Sequence, residues 1–186
     1  MQIVLASASP RRQELLRNAG IDFVVHPSNI EEVRHPEETP TEFAERMARE
    51  KALAVYGLGG DEFVLAADTV VVVDGQVLGK PCDRADAIRM LRLLSGRKHD
   101  VITAVCLRGP DFEDVRSETT VVDFSAMTEA EINDYVASGE PLDKAGAYAI
   151  QGTASRWITG IEGDYNNVVG LPVALVTQML REHLLL

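Results

Sequence analysis

An α/β chain, with a mixed twisted sheet and flanking helices, is the fold this sequence predicts. Strand-like and helix-like segments alternate from Ile3 to Ser95, and hairpin signals follow from Val101 to Phe124. Two unbroken apolar runs, Phe63 to Ala67 and Val70 to Val73, leave no solvated strand face, as expected of strands covered on both sides.

Taken in order, Ile3 to Ala6 is a short apolar strand. It leads through Ser7-Ala8-Ser9-Pro10-Arg11-Arg12 into a helix reaching about Ala19. Ser9 suits the N-cap and Pro10 the first helical position. Leu15, Leu16 and Ala19 give the apolar stripe, and Gly20 ends it. Phe23 to His26 reads as a second strand, and Pro27 to Pro40 as an acidic loop containing Glu31 and Glu32. A helix is expected from Thr41 to about Tyr56, with Gly57 as its C-cap and Phe43, Met47 and Ala54 on one face.

The two apolar runs are expected to be two strands meeting at Asp68. Asp74-Gly75 signals a hairpin that carries Lys80 back towards Asp68. Asp83 caps a helix to Ser95, with Ala87, Met90, Leu91 and Leu94 at helical spacing and Gly96 as the stop. Val101 to Leu107 and Val115 to Phe124 make an antiparallel pair about Gly109-Pro110. Thr128-Glu129-Ala130-Glu131 is a capping box for a helix ending near Ser138-Gly139. Lys144 to Gly152 is rich in small residues and suits close approach of backbone to backbone or ligand. Ser155 to Ile161 reads as a strand, Gly163 to Asn167 as a turn, and Gly170-Leu171-Pro172 as the entry to a last helix.

Composition narrows the function. The 186 residues suit one domain, and an apolar content of 46 % supplies ample core. A net charge of −11 argues against binding long nucleic acid, which needs a basic face. No apolar run approaches the roughly 20 residues of a membrane span, and MQIVLASASPRR lacks the basic n-region of a signal peptide. Cys82 and Cys106 form no CxxC pair, so a cytoplasmic setting with reduced thiols is expected.

A few polar residues ask for a chemical account. Asp68 is placed at the edge of a core, where a carboxylate needs a hydrogen-bonded, metal or cationic partner. It either caps a bend between strands or faces a cleft as a catalytic or metal-binding acid. The Ser7 loop opens a helix N-terminus, a natural anion site, to which Arg11 and Arg12 add guanidinium forks. Those arginines are otherwise solvated first-turn residues. Lys51 borders an apolar helix face and either snorkels or enters a polar cleft. Ser7, Arg12, Lys51 and Lys80 fit a polyphosphate, and Asp68 with Glu32 fits a divalent metal such as Mg²⁺ or Mn²⁺. The four histidines, His26, His35, His99 and His183, show no metal spacing, and a GxxxxGK[ST] loop is absent.

The chain resembles the Maf family of nucleoside triphosphate pyrophosphatases from end to end. The likeness rests on LASASPRRQELL (Leu5 to Leu16), Ile30-Glu31-Glu32, AREKA (Ala48 to Ala52), AADTVV (Ala66 to Val71), LGKP (Leu78 to Pro81), LSGRKHDVITAV ending at Val105, DKAGAYAIQG (Asp143 to Gly152) and GDYNNVVGLP (Gly163 to Pro172). The resemblance implies a Maf/inosine-triphosphatase-like α/β fold with two lobes around a cleft in a single domain, residues 1–186, a divalent metal, and a homodimer. It also implies hydrolysis of a nucleoside triphosphate to monophosphate and diphosphate. By motif, Asp68 becomes the general base and a metal ligand with Glu32, and Ser7, Arg12, Lys51 and Lys80 become phosphate ligands. Arg11, Thr69 and Gln151 stand at the positions tied to base choice and match the dTTP/UTP branch. The 7-methyl-GTP branch has an aromatic at the first and an acid at the third. A neutral amide suits the imide edge of uracil or thymine, and an acid suits the donor-rich edge of guanine. Two other readings are a haloacid-dehalogenase-type phosphatase, disfavoured because Val70 stands where a second Asp is needed, and a non-enzymatic septum-regulating or binding protein.

Overall fold

The computed structural model describes residues 2–58 and 63–186. Strands β1 (Ile3–Leu5), β2 (Phe23–Val25), β3 (Phe63–Val73), β4 (Gln76–Leu78), β5 (Lys98–Arg108), β6 (Glu113–Phe124) and β7 (Ile158–Glu162) form one mixed sheet in the order β2-β1-β3-β5-β6-β7, with β4 paired to β3. Helices α1 (Pro10–Asn18), α2 (Pro40–Val55), α3 (Arg84–Leu94), α4 (Glu129–Ala137), α5 (Tyr165–Val169) and α6 (Val173–Glu182) complete the chain, with short 3-10 turns between α4 and β7.

β1 pairs in parallel with both β2 and β3, as strand-helix-strand crossovers require, and β4 folds back antiparallel on β3. The hairpin turn is Asp74-Gly75, both residues with positive φ (49° and 74°). β5 and β6 are joined by only four residues, a span that permits an antiparallel pair alone.

The residues divide into two compact units. The first contains residues to Thr69, Thr103–Glu118 and Gly170–Leu186; the second contains Val70–Ile102 and Thr119–Val169. The first unit has a core of Ile3, Leu5, Leu16, Leu65, Ala67, Val105, Leu107, Leu171, Val176, Met179 and Leu180. The second has its own core, in which α3 and α4 contribute Met90, Leu91, Leu94, Ile132 and Tyr135 around Val71, Val122, Phe124 and Trp157. Trp157, 3 % exposed, is therefore a core residue of the second unit. Gly146 in that unit has φ 68°, and a Cβ there would meet Val71 Cγ2 at 2.8 Å, so only glycine suits the position.

Several sequence expectations need correction. Phe63 to Val73 is one continuous strand, not two meeting at a bend, and Asp68 is a residue of its interior. The strand continues because Lys51 compensates the carboxylate, as described below. α2 begins earlier than Thr41: Thr39 is its N-cap in a full capping box with Glu42, and Pro40 takes the first helical position. It also ends earlier, at Val55, so Tyr56 rather than Gly57 is the C-cap, its amide donating to the Ala52 carbonyl, and Gly57 follows with a positive φ of 83°. Its buried face runs through Phe43, Ala44, Met47, Ala48, Lys51, Ala52 and Val55, leaving Ala54 exposed, because the stripe drifts around the helix at 3.6 residues per turn. Ala19 is likewise exposed, and Ile21 is buried in its stead. Ser155 to Trp157 closes a 3-10 turn before β7 begins at Ile158. The turn expected at Gly163 to Asn167 continues into α5.

Candidate active site

β3 supplies two adjacent polar side chains to opposite faces, as the alternation of a strand demands. Asp68, 5 % exposed, meets Lys51 on the buried face of α2. Thr69 meets Arg12 from the first turn of α1. All four belong to the first unit.

The Lys51 ammonium donates to Asp68 Oδ1 at 2.5 Å and pairs with Glu32 Oε1 at 2.7 Å. The Lys51 and Asp68 side chains are 11 % and 7 % exposed, whereas Glu32 remains 43 % exposed. Burial pushes the Asp68 carboxyl above the ordinary carboxylate range. Lys51 opposes that push by charge and by hydrogen bond, Glu32 adds to it, and Arg12 opposes it. A carboxylate so placed is a better proton acceptor than a free one.

Arg12 is a strap. Its Nε donates to the Gly170 carbonyl at 2.7 Å, Nη1 to the Ala67 carbonyl at 2.8 Å and to Ser7 Oγ at 3.3 Å, and Nη2 to Thr69 Oγ1 at 3.0 Å. Burial lowers the pKa of this guanidinium, the nearby Asp68 charge opposing; a guanidinium nevertheless stays charged. Thr69 Oγ1 also lies 2.9 Å from Thr103 Oγ1 and 3.4 Å from the Gly170 carbonyl. Ser7, 8 % exposed, accepts the Ser9 amide at 3.2 Å, and Ser9 caps α1 through the Arg12 amide. Arg11 follows a different course: its Nε is buried with no protein partner, so of the two arginines it keeps donor capacity in reserve.

The structure thus brings Ser7, Arg12 and Thr69 into one hydrogen-bonded group and Asp68, Lys51 and Glu32 into another, with the charges of Arg12 and Asp68 felt between the two. Lys80 and Gln151 belong to the second unit, where both are exposed, Gln151 on a turn between 3-10 segments. Thr103 and Gly170 escaped sequence reasoning. Both stand inside recognisable segments, LSGRKHDVITAV and GDYNNVVGLP, yet nothing local announces a hydroxyl that meets Thr69 or a carbonyl that holds an arginine 158 residues away in sequence.

Among the described residues, no group of three or more His, Cys, Asp or Glu side chains is placed to hold a metal. Two carboxylates do converge: Asp68 and Glu32 meet at the single Lys51 ammonium. That donor set fits Mg²⁺, which takes one or two carboxylates together with substrate phosphates rather than an all-protein cage.

A family profile described as Maf-like protein matches residues 2–183. The chain belongs to the Maf family. Among curated Maf relatives, the dTTP/UTP pyrophosphatase of Koribacter versatilis is 56 % identical over 97 % of this chain and 94 % of its own length. That of Symbiobacterium thermophilum is 53 % identical over 97 % and 93 %. That of Geobacter sulfurreducens is 50 % identical over 97 % and 95 %. Among solved structures, the Staphylococcus aureus Ham1 protein aligns over 98 % of this chain and all of its own with a TM-score of 0.51. At 16 % identity that likeness concerns the fold alone, and it agrees with the mixed α/β architecture expected of a Maf protein.

Proposed function

We propose that this Maf protein hydrolyses dTTP and UTP to the nucleoside monophosphate and diphosphate. One observation carries the reading. A buried Asp68 is paired with Lys51 and, through it, with Glu32, in a chain whose dTTP/UTP pyrophosphatase relatives match it nearly end to end. A scaffold protein gains nothing from an acid held half-compensated in a core, since an apolar residue there is as stable or more so.

In the reaction, Asp68 accepts a proton from a water molecule. The water oxygen bonds to the α-phosphorus, and the bond from that phosphorus to the bridging oxygen breaks, so diphosphate leaves with that oxygen. Lys51 holds Asp68 in place and, with Arg12 and the Ser7 hydroxyl, offsets the negative charge of the phosphates. Arg12 works mainly by charge, its N–H groups being largely committed to the protein. A divalent cation, when bound, would be held by Asp68 and Glu32 and would supply further neutralisation of the phosphate oxygens. Lys80 is assigned to the phosphates, and Arg11, Thr69 and Gln151 to base choice. The exposure of Lys80 and Gln151 leaves both side chains available to a ligand.

We treat residues 1–186 as one functional domain, because β3, β5 and β6 each contribute residues to both units. A second copy of the chain is its expected protein partner. A cytoplasmic setting accords with two free thiols, Cys82 and Cys106. Among the described residues, no helix is long and apolar enough to cross a membrane.

The test is a panel of nucleoside triphosphates, including dTTP, UTP, GTP and 7-methyl-GTP, with diphosphate release measured with and without Mg²⁺ or Mn²⁺. Preference for dTTP and UTP is expected. A preference for 7-methyl-GTP would move the chain to the other branch, and absence of any turnover would favour a binding role.

A further inference from the structure

The segment that carries Gln151 is held by a carboxylate and a phenol from outside it, all within the second unit. Glu140 Oε1 accepts the Tyr135 hydroxyl at 2.9 Å and the Thr153 amide at 3.1 Å. Its Oε2 accepts the Thr153 hydroxyl at 3.0 Å and the same amide at 3.3 Å. The Tyr135 oxygen in turn accepts the Ala149 amide at 3.4 Å. One connected pair therefore grips the backbone two residues before Gln151 and two residues after it. Gly152 permits the grip: a Cβ there would overlap the Glu140 carboxylate, although the φ of −101° is one that any residue adopts.

The anchor is itself well founded. Tyr135 is 2 % exposed in the core under α4, and its ring packs against Trp157 at 5.4 Å. The Glu140 backbone is tied by the Lys144 ammonium on its carbonyl at 2.9 Å. An exposed amide side chain can discriminate between bases only if its backbone is fixed, because a misplacement of about 1 Å costs orders of magnitude in rate. A carboxylate with both oxygens committed to one short loop is an expensive way to close a turn and an effective way to hold one.

We propose that Glu140 is a positioning residue for substrate choice, acting through Tyr135 and through the Thr153 amide and hydroxyl to hold Gln151 in register with the base. The inference rests on the reading of Gln151 as the residue that addresses the base.

Four variants of the full chain, Glu140→Ala, Glu140→Gln, Gly152→Ala and Gln151→Ala, together with the Glu140→Ala/Gln151→Ala double variant, test it. The readouts are kcat and KM for dTTP and GTP, and hydrogen exchange at the Thr153 and Ala149 amides. Glu140→Ala and Gly152→Ala are expected to lower the dTTP:GTP ratio of kcat/KM about tenfold, chiefly through KM for dTTP, and to speed exchange at Thr153. Glu140→Gln, which keeps an acceptor for the amide, is expected to restore most of both. Adding Glu140→Ala to Gln151→Ala should change the ratio no further.

If Gln151→Ala lowers the ratio and Glu140→Ala does not, the positioning role is overturned while the reading of Gln151 stands. An equal fall on both substrates, in both backgrounds, also overturns it, since that is ordinary destabilisation. If Gln151→Ala leaves the ratio unchanged, the reading of Gln151 is overturned, and this inference goes with it even where exchange at Thr153 accelerates.

Discussion

Lys51 Nζ stands 2.5 Å from Asp68 Oδ1, with both side chains almost withdrawn from solvent. A buried pair of this kind is seldom a net gain in stability, because desolvating two charges offsets their attraction. Here the imbalance has a direction: burial outweighs Lys51, and the Asp68 carboxyl titrates above its ordinary range.

Replacing Asp68 by Asn is expected to abolish turnover, by roughly 10³-fold or more, since the proton acceptor is removed without loss of shape. The fold should survive. A carboxyl whose folded pKa is raised binds its proton more tightly in the folded state. Its stabilising contribution is present at low pH and is lost as pH rises through the folded pKa. Thermal melts of Asp68→Asn at pH 7 should therefore lie level with or above those of the parent. A full-rate Asp68→Asn enzyme would remove the role assigned to this residue.

Lys51 sets where the acid limb of the rate profile falls. A base must be ionised, so kcat/KM should decline as pH drops through the Asp68 pKa, at a pH above that of an ordinary carboxylate. Lys51→Met removes the group that opposes the rise. The acid limb is expected to move to still higher pH, and activity at pH 7 to fall. An unmoved limb, read from initial rates between pH 4 and pH 9, would show that another group governs it.

Arg12 should tolerate no substitution. Lysine carries the charge but cannot span Gly170, Ala67, Ser7 and Thr69 at once. Charge-assisted bonds contribute about 1.5–3 kcal/mol each when a buried partner is left unmade, and such losses are not additive. For Arg12→Lys we expect a loss of about 2–4 kcal/mol, read as a fall of roughly 5–15 °C in Tm, together with impaired turnover. An unchanged Tm would mean that the strap bears no weight.

His99 gives the second unit an acid sensitivity. Its Nε2 lies 2.7 Å from the Tyr148 hydroxyl, its ring is 3 % exposed, and burial lowers its pKa to about 4. Between that value and the roughly 6.5 of a free imidazole, the unfolded chain binds the extra proton. The stability tied to neutral His99 is thus full above the unfolded pKa and lost as pH falls towards 4. Melts of the parent and of His99→Gln between pH 4 and pH 7 should converge as the pH falls. Parallel curves would show that unfolding brings no proton uptake at His99 in this window.

The order of strands and helices was legible in the residues themselves. The α3 stripe Ala87, Met90, Leu91, Leu94 is buried as its spacing predicted, and Ser9, Asp83 and Thr128 cap the helices they were expected to cap. These signals are local, carried by side chains that bond to backbone three residues away. Some errors were local, such as the overlooked Thr39-Glu42 capping box that starts α2 at Pro40, but the one that matters for the site fell where a distant partner decides. Asp68 looked like a break in β3 because an acid inside an apolar run is costly alone, and Lys51, which compensates it, comes from α2.

By itself the sequence determined the alternation of elements, the helix caps, the Asp74-Gly75 hairpin and the identity of the polar residues that resist a structural account. Only the tertiary structure decided that Asp68 and Glu32 share one ammonium, that Arg12 is spent on Gly170 and Thr69, and that Glu140 grips the loop around Gln151. The reason is physical. Local bonding and periodicity are written in neighbouring residues, whereas the pairing of buried charges depends on which surfaces the folded chain removes from water.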